Sequence, residues 1–186
     1  MIDDQLNFYT GKIILLGDDG VGKTSLRRSY MGKTFSEKYK KTLGVDISHL
    51  HFSKDDREVD IVIWDLAGER QFRNIRKAYC SGMNGAILVI DVTREISMET
   101  LLWWLEDVKL MISKDNVLPL ALLGNKLDLD NQRIVTFDNL IATENLLTTA
   151  LQDIKVKTFE TSAKTGESVK EAFDWLITNS LDLNQK

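Results

Sequence analysis

The stretch that most constrains the fold is Gly17–Thr24, whose sequence is Gly-Asp-Asp-Gly-Val-Gly-Lys-Thr. It fits the pattern G-x-x-x-x-G-K-[ST], in which the backbone N–H groups of a glycine-rich loop surround a chain of phosphates. The run Lys12–Leu16 before it is typical of a buried strand, and Ser25–Met31 after it is typical of a helix. Because the pattern requires a strand before it and a helix after it, the sequence predicts a phosphate-binding loop rather than an ordinary glycine-rich turn.

The residue types in this loop indicate which part of a ligand each one meets. Lys23 supplies a mobile cation for the outer phosphates, and the Thr24 hydroxyl is suited to ligate Mg²⁺. The helix that follows adds the positive end of its dipole. The loop residues that we predict to contact the phosphates are Asp19, Gly20, Val21, Gly22, Lys23, Thr24 and Ser25.

Length and composition exclude several classes of protein. A chain of 186 residues suits one domain, which we assign to residues 1–186 with a core of about 11–181. The net charge of −4 argues against general nucleic-acid binding, and a single cysteine excludes an internal disulfide. No apolar run approaches the length of a membrane span, and neither terminus carries a lipidation motif. We therefore expect a cytoplasmic protein that reaches membranes, if at all, through partners.

The remainder of the chain alternates strand patterns with helix patterns, which predicts an α/β fold. Further strands are predicted at Val45–Phe52, Val59–Trp64, Ala86–Asp91, Val117–Leu123 and Lys155–Phe159. Further helices are predicted at Glu69–Cys80, Met98–Ile112, Phe137–Leu151 and Ser168–Leu181. Such alternation favours a mostly parallel six-stranded sheet with helices on both faces.

Three local features complete the predicted fold. The turn Ser53–Asp56 joins the second and third strands as an antiparallel hairpin, which makes one edge strand antiparallel. The polar segment Met1–Thr10 is predicted to be a loosely held lead-in. His49 and His51 share one face of a strand and lack obvious further metal ligands nearby, so we interpret them as a surface pair.

Polar motifs follow four of the predicted strands. In an open sheet of this kind, ligands bind at the carboxyl ends of the strands. The phosphate loop is the first motif, and Asp65-x-x-Gly68 is the second: an acid for the hydration shell of a metal ion, then a glycine whose N–H can approach a terminal phosphate. The other two motifs are Asn125–Asp128 and Thr161–Lys164. Four motifs in this order are a strong signal for a nucleotide site.

The third motif indicates which base is bound. The Asp128 carboxylate can accept two hydrogen bonds from guanine, whereas adenine would leave the charge unpaired. A polar site rejects a ligand that lacks the expected donors by a factor of roughly 10⁴ or more. Asn125 can join the loops, the Lys126 stem can lie along the base, and the Ala163 backbone N–H can bind the guanine oxygen.

With these motifs, the chain resembles a small GTPase of the Ras superfamily and is most similar to the Rab branch. The resemblance covers roughly Lys12–Leu181 and implies a single P-loop GTPase domain that binds GTP or GDP with Mg²⁺. It implies a monomeric molecular switch that hydrolyses GTP slowly and meets effectors, exchange factors and activating proteins. The stretches that carry it are Gly17–Thr24, Thr42–Asp46, Trp64–Gly68, Asn125–Asp128 and Thr161–Gly166.

The resemblance also assigns roles to individual residues. It makes residues 32–44 and 68–80 the two switch loops, and Thr42 a ligand of both Mg²⁺ and the γ-phosphate. Phe35 would pack against the guanine edge, and Tyr39 would close over the phosphates. The metal ligands would be Thr24, Thr42 and Asp65, the terminal phosphate would meet Gly68, and the base site would include Ser162, Ala163 and Lys164.

Three apolar residues are candidates for binding effector proteins. Ile47, Trp64 and Tyr79 match the exposed hydrophobic triad of Rab-like proteins. The alternative interpretation is that all three are simply part of the core.

One departure from the family pattern bears on catalysis. The catalytic set would be Lys23, Thr42, Gly68 and Glu69, but Glu69 replaces the usual glutamine that positions the attacking water. A carboxylate cannot donate a hydrogen bond, and it places negative charge near a group that is itself gaining negative charge. We therefore expect a very low intrinsic hydrolysis rate. The alternative is a hydrolysis-deficient module that binds GTP and recruits partners, while Asn125–Asp128 disfavours an ATP-using phosphotransferase.

Overall fold

The computed structural model of the chain describes residues 7–36, 42, 44–54, 57–68, 79–96, 98–109, 112 and 117–182. Within these ranges, six strands form one sheet in the spatial order β2-β3-β1-β4-β5-β6. The strands are β1 (Asn7–Leu16), β2 (Val45–Lys54), β3 (Arg57–Leu66), β4 (Gly85–Asp91), β5 (Leu118–Asn125) and β6 (Ile154–Thr161). The helices are α1 (Lys23–Tyr30), α2 (Met98–Lys109), α3 (Phe137–Ala150) and α4 (Val169–Asp182), with a 3₁₀ helix at Leu127–Gln132.

The sheet is mostly parallel, as the sequence predicts. Every neighbouring pair runs parallel except β2 and β3, which are antiparallel and place β2 at the edge. The hairpin prediction is therefore confirmed, although Asp55 and Asp56 of the predicted turn lie outside the described residues. Crossover helices between parallel strands cover both faces of such a sheet, which explains why its central strands are buried on both sides.

Two hydrophobic clusters fill the space between sheet and helices. Odd-numbered residues of β1, such as Ile13 and Leu15, point to one face, where α1 and α4 contribute Leu26 and Phe173. Even-numbered residues such as Ile14 point to the other face, where α2 and α3 pack. The alternation follows from the two-residue period of a strand. The prediction of helices on both faces is confirmed.

The first strand begins earlier than the sequence predicts. Residues Asn7–Thr10 belong to β1 and pair in parallel with Arg57–Asp60 of β3, so this part of the predicted loose lead-in is wrong. The Tyr9 hydroxyl also donates to the Ser180 carbonyl oxygen of α4 at 2.9 Å. The sequence does not indicate this strand, because its polar residues extend a hydrogen-bonded pairing with a partner strand that lies about fifty residues away in sequence. Residues 1–6 lie outside the described ranges.

Other boundaries shift by a few residues. Strands β3, β4, β5 and β6 all reach residues that the sequence pattern left outside them. The 3₁₀ helix Leu127–Gln132 follows the Asn125–Lys126 pair directly and was not predicted. Helix α3 begins with a capping box, in which the Thr136 hydroxyl accepts from the Asn139 N–H and the Asn139 side chain accepts from the Thr136 N–H. Most of the predicted helix Glu69–Cys80 lies outside the described residues.

Candidate functional site

A cavity of about 580 Å³ lies where the strands β1, β3, β5 and β6 end. Its wall brings together residues from all four sequence motifs. The predicted ligand contacts that line it are Asp19, Gly20, Gly22, Lys23, Thr24, Ser25, Phe35, Thr42, Gly68, Asn125, Lys126, Asp128, Ala163 and Lys164. Val21, Asp65 and Ser162 contact this wall from behind. Tyr39 and Glu69 lie outside the described residues.

The phosphate loop is shaped by backbone conformations that favour glycine. Gly17, Gly20 and Gly22 have φ values of 134°, 74° and 104°, in the left-handed region. A Cβ atom on Gly22 would lie 2.3 Å from Asn125 Nδ2, so a side chain there would displace Asn125. Lys23 is buried, and its ammonium donates to the carbonyl oxygens of Gly17 at 2.7 Å and Asp18 at 2.8 Å. The loop thus curls around its own lysine.

The end of the cavity at which the sequence predicts Mg²⁺, called the metal end, brings two hydroxyls next to one carboxylate. The Thr24 hydroxyl donates to Asp65 Oδ2 at 2.5 Å and lies 3.1 Å from the Thr42 hydroxyl. Asp65 is 0 % exposed, and its second oxygen, Oδ1, has no hydrogen-bond partner among the described residues. Burial raises the pKa of Asp65, although the Thr24 hydrogen bond and the charges of Lys23 and Arg27 oppose the shift.

This donor set fits Mg²⁺. Mg²⁺ keeps several waters and is usually held by one or two carboxylates together with phosphates of the substrate, rather than by a cage of protein ligands. Over the described ranges, no group of three or more His, Cys, Asp or Glu side chains could hold a metal ion. A buried carboxylate oxygen without a partner, beside two threonine hydroxyls, is what a hydrated ion bound to phosphate would complete.

Gly68 lies against the phosphate loop. A Cβ atom at this position would lie 2.6 Å from Gly17 O and 2.7 Å from Asp19 N. These are backbone atoms, which cannot move away as the end of a flexible side chain can. The close approach explains why the second motif needs a glycine, and it places this backbone beside the predicted position of the terminal phosphate.

The end of the cavity at which the sequence predicts the guanine base, called the base end, is held together by hydrogen bonds among its own residues. Asn125 is 1 % exposed, and its amide donates to Val21 O at 2.8 Å. Its Oδ1 accepts from the Ala163 N–H at 3.1 Å. Asp128 accepts from the Ser162 hydroxyl at 2.6 Å. Since the Ala163 N–H already has a partner, its predicted use toward guanine requires a shared, bifurcated hydrogen bond.

Lys126 has an unusual backbone and a buried partner. Its φ is 76°, a left-handed conformation that costs a non-glycine residue about 1–2 kcal/mol. Its ammonium lies 2.6 Å from Asp91 Oδ2. Burial alone would raise the pKa of Asp91, but hydrogen bonds from Lys126 and Thr93 outweigh it and hold that pKa below its usual value. The ion pair fixes the lysine stem along the cavity wall.

The structure adds cavity residues that sequence reasoning missed. Arg28 could have been found, because it lies three residues after Ser25 on the same helical face. Leu129 could not, because it lines the cavity from the 3₁₀ helix that no pattern indicated. The missed lining residues are Arg28, Ser36, Leu66 and Leu129.

The phosphate loop is also held from outside the cavity. The indole N–H of Trp104 donates to Asp18 Oδ1 at 3.0 Å, and Arg94 donates to the Asp19 carbonyl oxygen at 3.0 Å. Arg94 is paired in turn with Asp91 at 3.1 Å. Trp104 is buried in the core, and its indole N–H holds the loop as well.

Two of the three candidate effector-binding residues lie on the sheet, and the third packs against one of them. Ile47 and Trp64 are directly opposed on β2 and β3, and the Trp64 and Tyr79 rings are 5.3 Å apart. Ile47 is 45 % exposed, which argues against simple core burial for that residue. Trp64 and Tyr79 are half-buried. The Lys12 ammonium lies 4.2 Å from the centre of the Trp64 ring.

The two histidines of β2 remain a surface pair, but they do have acidic neighbours. His49 lies 3.6 Å from Asp60, and His51 lies 3.1 Å from Glu58. The register of β3 brings these carboxylates alongside, but they form no group of three or more possible metal ligands within the part of the chain that the structure describes. Both histidines are exposed.

No helix within the described ranges is long and apolar enough to cross a membrane.

Comparison with known proteins gives a consistent result. The profile of the Ras family matches residues 12–182. The Ypt/Rab-type GTPase Rab7 of Neurospora crassa is 36% identical over 173 residues, which is 91% of this chain and 82% of that protein. The Ras-related protein Rab-7a of Dictyostelium discoideum is 36% identical, with 92% and 83% covered. The Ras-related protein Rab7 of Cenchrus ciliaris is 38% identical, with 91% and 82% covered.

Proposed function

The chain belongs to the Rab branch of the Ras family of small GTPases, and from this premise we propose that it is a GTP-binding switch with unusually slow hydrolysis. Members of the family bind GTP or GDP with Mg²⁺, hydrolyse GTP, and interact with effectors, exchange factors and activating proteins. The finer proposal concerns how this chain's own residues carry out that cycle and how fast they do so.

The observation that carries the proposal is the shared cavity. One end presents Thr24, Thr42 and the buried Asp65, and the other presents Asn125 and Asp128. Thr24, Thr42, Asn125 and Asp128 come from separate motifs of the sequence, yet they line one space of about 580 Å³. That is within the range of pockets that enclose a small ligand. We assign the base to Asp128 and the phosphates to the loop Gly17–Thr24.

Thr24, Thr42 and Asp65 would hold Mg²⁺, which supplies charge neutralisation to the phosphates when bound. Lys23 would bind the outer phosphates once it exchanges its carbonyl partners for them. Thr42 and Gly68 would then report the presence of the γ-phosphate, since both line the cavity beside the metal end. Loss of that phosphate would release the segments 32–44 and 68–80, as in other switch proteins of this type.

Effector binding would use the patch of Ile47, Trp64 and Tyr79. The patch combines an exposed aliphatic side chain with two half-buried aromatic rings, a composition common at protein interfaces. Ile47 follows the first switch segment closely in sequence. A partner that covers the patch would therefore lie close to residues that respond to the nucleotide.

Slow hydrolysis is proposed from the charge of Glu69. Two unit charges about 4 Å apart interact by roughly 4 kcal/mol at an effective dielectric constant near 20. Repulsion of that size, felt only in the transition state, would lower the rate by about three decades. The unassisted reaction in such enzymes is already slow, on the order of 10⁻⁴ per second. The GTP-bound state would therefore persist for hours or longer.

A second candidate function follows from the same residue. If Glu69 abolishes turnover, the chain is a GTP-binding interaction module that recruits partners without hydrolysis. The two functions differ in phosphate release by purified GTP-loaded protein over many hours, with and without cell extract. Slow release indicates a switch, and no release under either condition indicates the module.

Single-turnover hydrolysis of three proteins tests the charge argument: the unmodified chain, Glu69→Gln and Glu69→Ala. We expect Glu69→Gln to be faster by at least tenfold, because the amide removes the charge and can donate. Glu69→Ala removes both the charge and any side-chain hydrogen bond to the water, so comparing it with Glu69→Gln separates the relief of repulsion from the gain of positioning. A Glu69→Gln protein no faster than the unmodified one would reject the charge argument.

A further inference from the structure

Helix α1 carries a buried arginine beside the metal end of the cavity. Arg27 is 5 % exposed and lies three residues after Thr24, so the two side chains share one face of the helix. Its guanidinium lies 2.5 Å from Asp46 Oδ2 and donates to the Ser48 hydroxyl at 2.8 Å. Its Nε atom is buried without a hydrogen-bond partner among the described residues. A charge this deeply buried requires a compensating partner.

Asp46 and Asp65 face each other across the hairpin. They are register partners in the antiparallel pair of β2 and β3, so their side chains lie on the same face. Directly opposed residues have Cβ atoms about 4.5–5.5 Å apart, and like charges in that position destabilise the sheet. The positive charge of Arg27 acts favourably on Asp65 as well. One guanidinium therefore pairs with Asp46 and acts electrostatically on Asp65.

The two carboxylates differ in their surroundings. Asp65 is fully buried and keeps one oxygen without a partner, whereas the Asp46 side chain is 56 % exposed. Arg27 bonds to the exposed acid and leaves the buried one to Thr24.

We propose that Asp46 is a positioning residue, whose carboxylate keeps the Arg27 guanidinium away from Asp65 and so reserves Asp65 for the hydration shell of Mg²⁺. The proposal rests on the metal role proposed above for Asp65. Without Asp46, the buried guanidinium would still act on the charge of Asp65, and arginine pairs strongly with carboxylates. Such a pair has a donor and an acceptor to offer, since Arg27 Nε and Asp65 Oδ1 are buried and make no hydrogen bond to any described residue. Mg²⁺ would then compete with an internal cation.

The test is the Mg²⁺ dependence of nucleotide retention. The release rate of a fluorescent GDP analogue is measured over a series of buffered Mg²⁺ concentrations. The Mg²⁺ concentration at which the effect on release is half complete, called the half-point, is compared between variants. Residues that orient metal ligands typically change metal affinity by 10–100-fold when mutated. We expect Asp46→Asn to raise the half-point by about tenfold or more, while retention at saturating Mg²⁺ stays close to that of the unmodified protein.

The double variant provides the decisive comparison. Arg27→Met keeps a long apolar stem and removes the charge, so alone it should leave the half-point within about twofold. In Arg27→Met/Asp46→Asn the internal competitor is gone, so the half-point should return toward the unmodified value. A purely structural role for Asp46 predicts the opposite, since the double variant would then be at least as impaired as Asp46→Asn.

Three controls complete the design. Asp46→Glu keeps the charge and should keep the half-point, and Ser48→Ala removes an uncharged partner of Arg27 and should not shift it. If Asp46→Asn folds poorly, Asp46→Ser carries the same expectation. An unchanged half-point in Asp46→Asn, or an unrescued double variant, overturns the proposal. Asp65→Asn distinguishes failure of the role proposed for Asp46 from failure of the metal role proposed for Asp65. An unchanged half-point in that variant rejects the metal role of Asp65 itself.

Discussion

The two ends of the cavity differ in how far the protein alone satisfies them. At the base end, Asn125, Asp128 and Ala163 are bonded to other residues of the chain. At the metal end, the buried Asp65 keeps an oxygen without a partner in the described structure. Burying an unpaired carboxylate oxygen is costly, so this end is incomplete without a ligand.

The difference teaches where specificity and switching arise. If this end binds guanine as proposed, a site that is already cross-linked would do so without rearrangement, because its polar groups are fixed before the ligand arrives. A metal end that lacks a partner gains stability when ligand binds, so it is the end that can respond to what is bound. Opposite responses to mutation are expected at the two ends.

The largest expected effect lies at the base end. Asp128→Ala would remove the two charge-assisted hydrogen bonds proposed to guanine, each worth about 1.5–3 kcal/mol, so GTP and GDP affinity should both fall by roughly 10²–10⁴-fold. Affinity is measured by titration with a fluorescent nucleotide at saturating Mg²⁺. Asp130→Ala is the matched control, since Asp130 is an exposed aspartate of the same 3₁₀ helix. Equal losses in both variants would contradict the assignment of the base to Asp128.

A second prediction tests whether the base end is complete without ligand. Asn125→Ala leaves the Val21 carbonyl and the Ala163 N–H without their partner in a buried site. Unfolding free energy of the nucleotide-free protein should fall by about 3 kcal/mol, because each buried unsatisfied group costs about 1–3 kcal/mol. Chemical denaturation measures it, with the exposed Asn131→Ala as control. A loss of stability seen only with nucleotide bound would contradict the conclusion that the base end is complete without ligand.

A third prediction concerns the metal end and has two opposite signs. Asp65→Asn should weaken Mg²⁺ binding by about 10–100-fold, because the metal's water shell loses a charged acceptor. The same variant should stabilise the metal-free protein at neutral pH. Burial raises the pKa of Asp65 in the folded protein above its unfolded pKa, which is near 4. The stability that Asp65 contributes is therefore fully present below pH 4. It is lost as the pH rises through the folded pKa, because the buried carboxylate becomes charged.

The measurement is thermal unfolding of metal-free protein from pH 4 to pH 8. The advantage of Asp65→Asn over the unmodified chain should grow with pH, and it should vanish when Mg²⁺ and GDP are added. Asp60→Asn, on the same strand but with a half-buried carboxylate, is the control. A metal-free Asp65→Asn protein that is less stable at pH 8 would remove the contrast between the two ends.

The smallest expected effect lies in the wall between the ends. Trp104→Phe removes the hydrogen bond to Asp18, worth about 1 kcal/mol, so both GDP and GTP should bind about fivefold more weakly. The neighbouring Trp103→Phe keeps that bond and should bind normally. A larger loss for GTP than for GDP would indicate that this contact belongs to the metal end rather than to the shared loop.

Much of the site follows from the sequence because its motifs are local. Each motif directly follows a strand, and a parallel sheet brings the carboxyl ends of its strands to one edge, so their meeting is a consequence of topology. The contacts that hold the motifs are not local. Trp104 and Arg94 reach the phosphate loop from elements far along the chain, and neither shows a pattern other than that of core and solvent. The 3₁₀ helix that presents Leu129 also escaped prediction, since it is too short to show a period.

By itself, the sequence determined the order of strands and helices, the glycine-rich loop and the position of the Asn125–Asp128 motif, because each depends on neighbouring residues and on hydrophobic period. Only the tertiary structure decided where β1 begins, since the pairing of Asn7 with Arg57 depends on a distant strand. It alone also paired Arg27 with Asp46 and set Asp46 opposite the buried Asp65. The physical reason is that the effect of a buried charge on stability and binding depends on the charges and hydrogen-bonding groups around it. Across a sheet, those groups are set by strand register rather than by sequence distance.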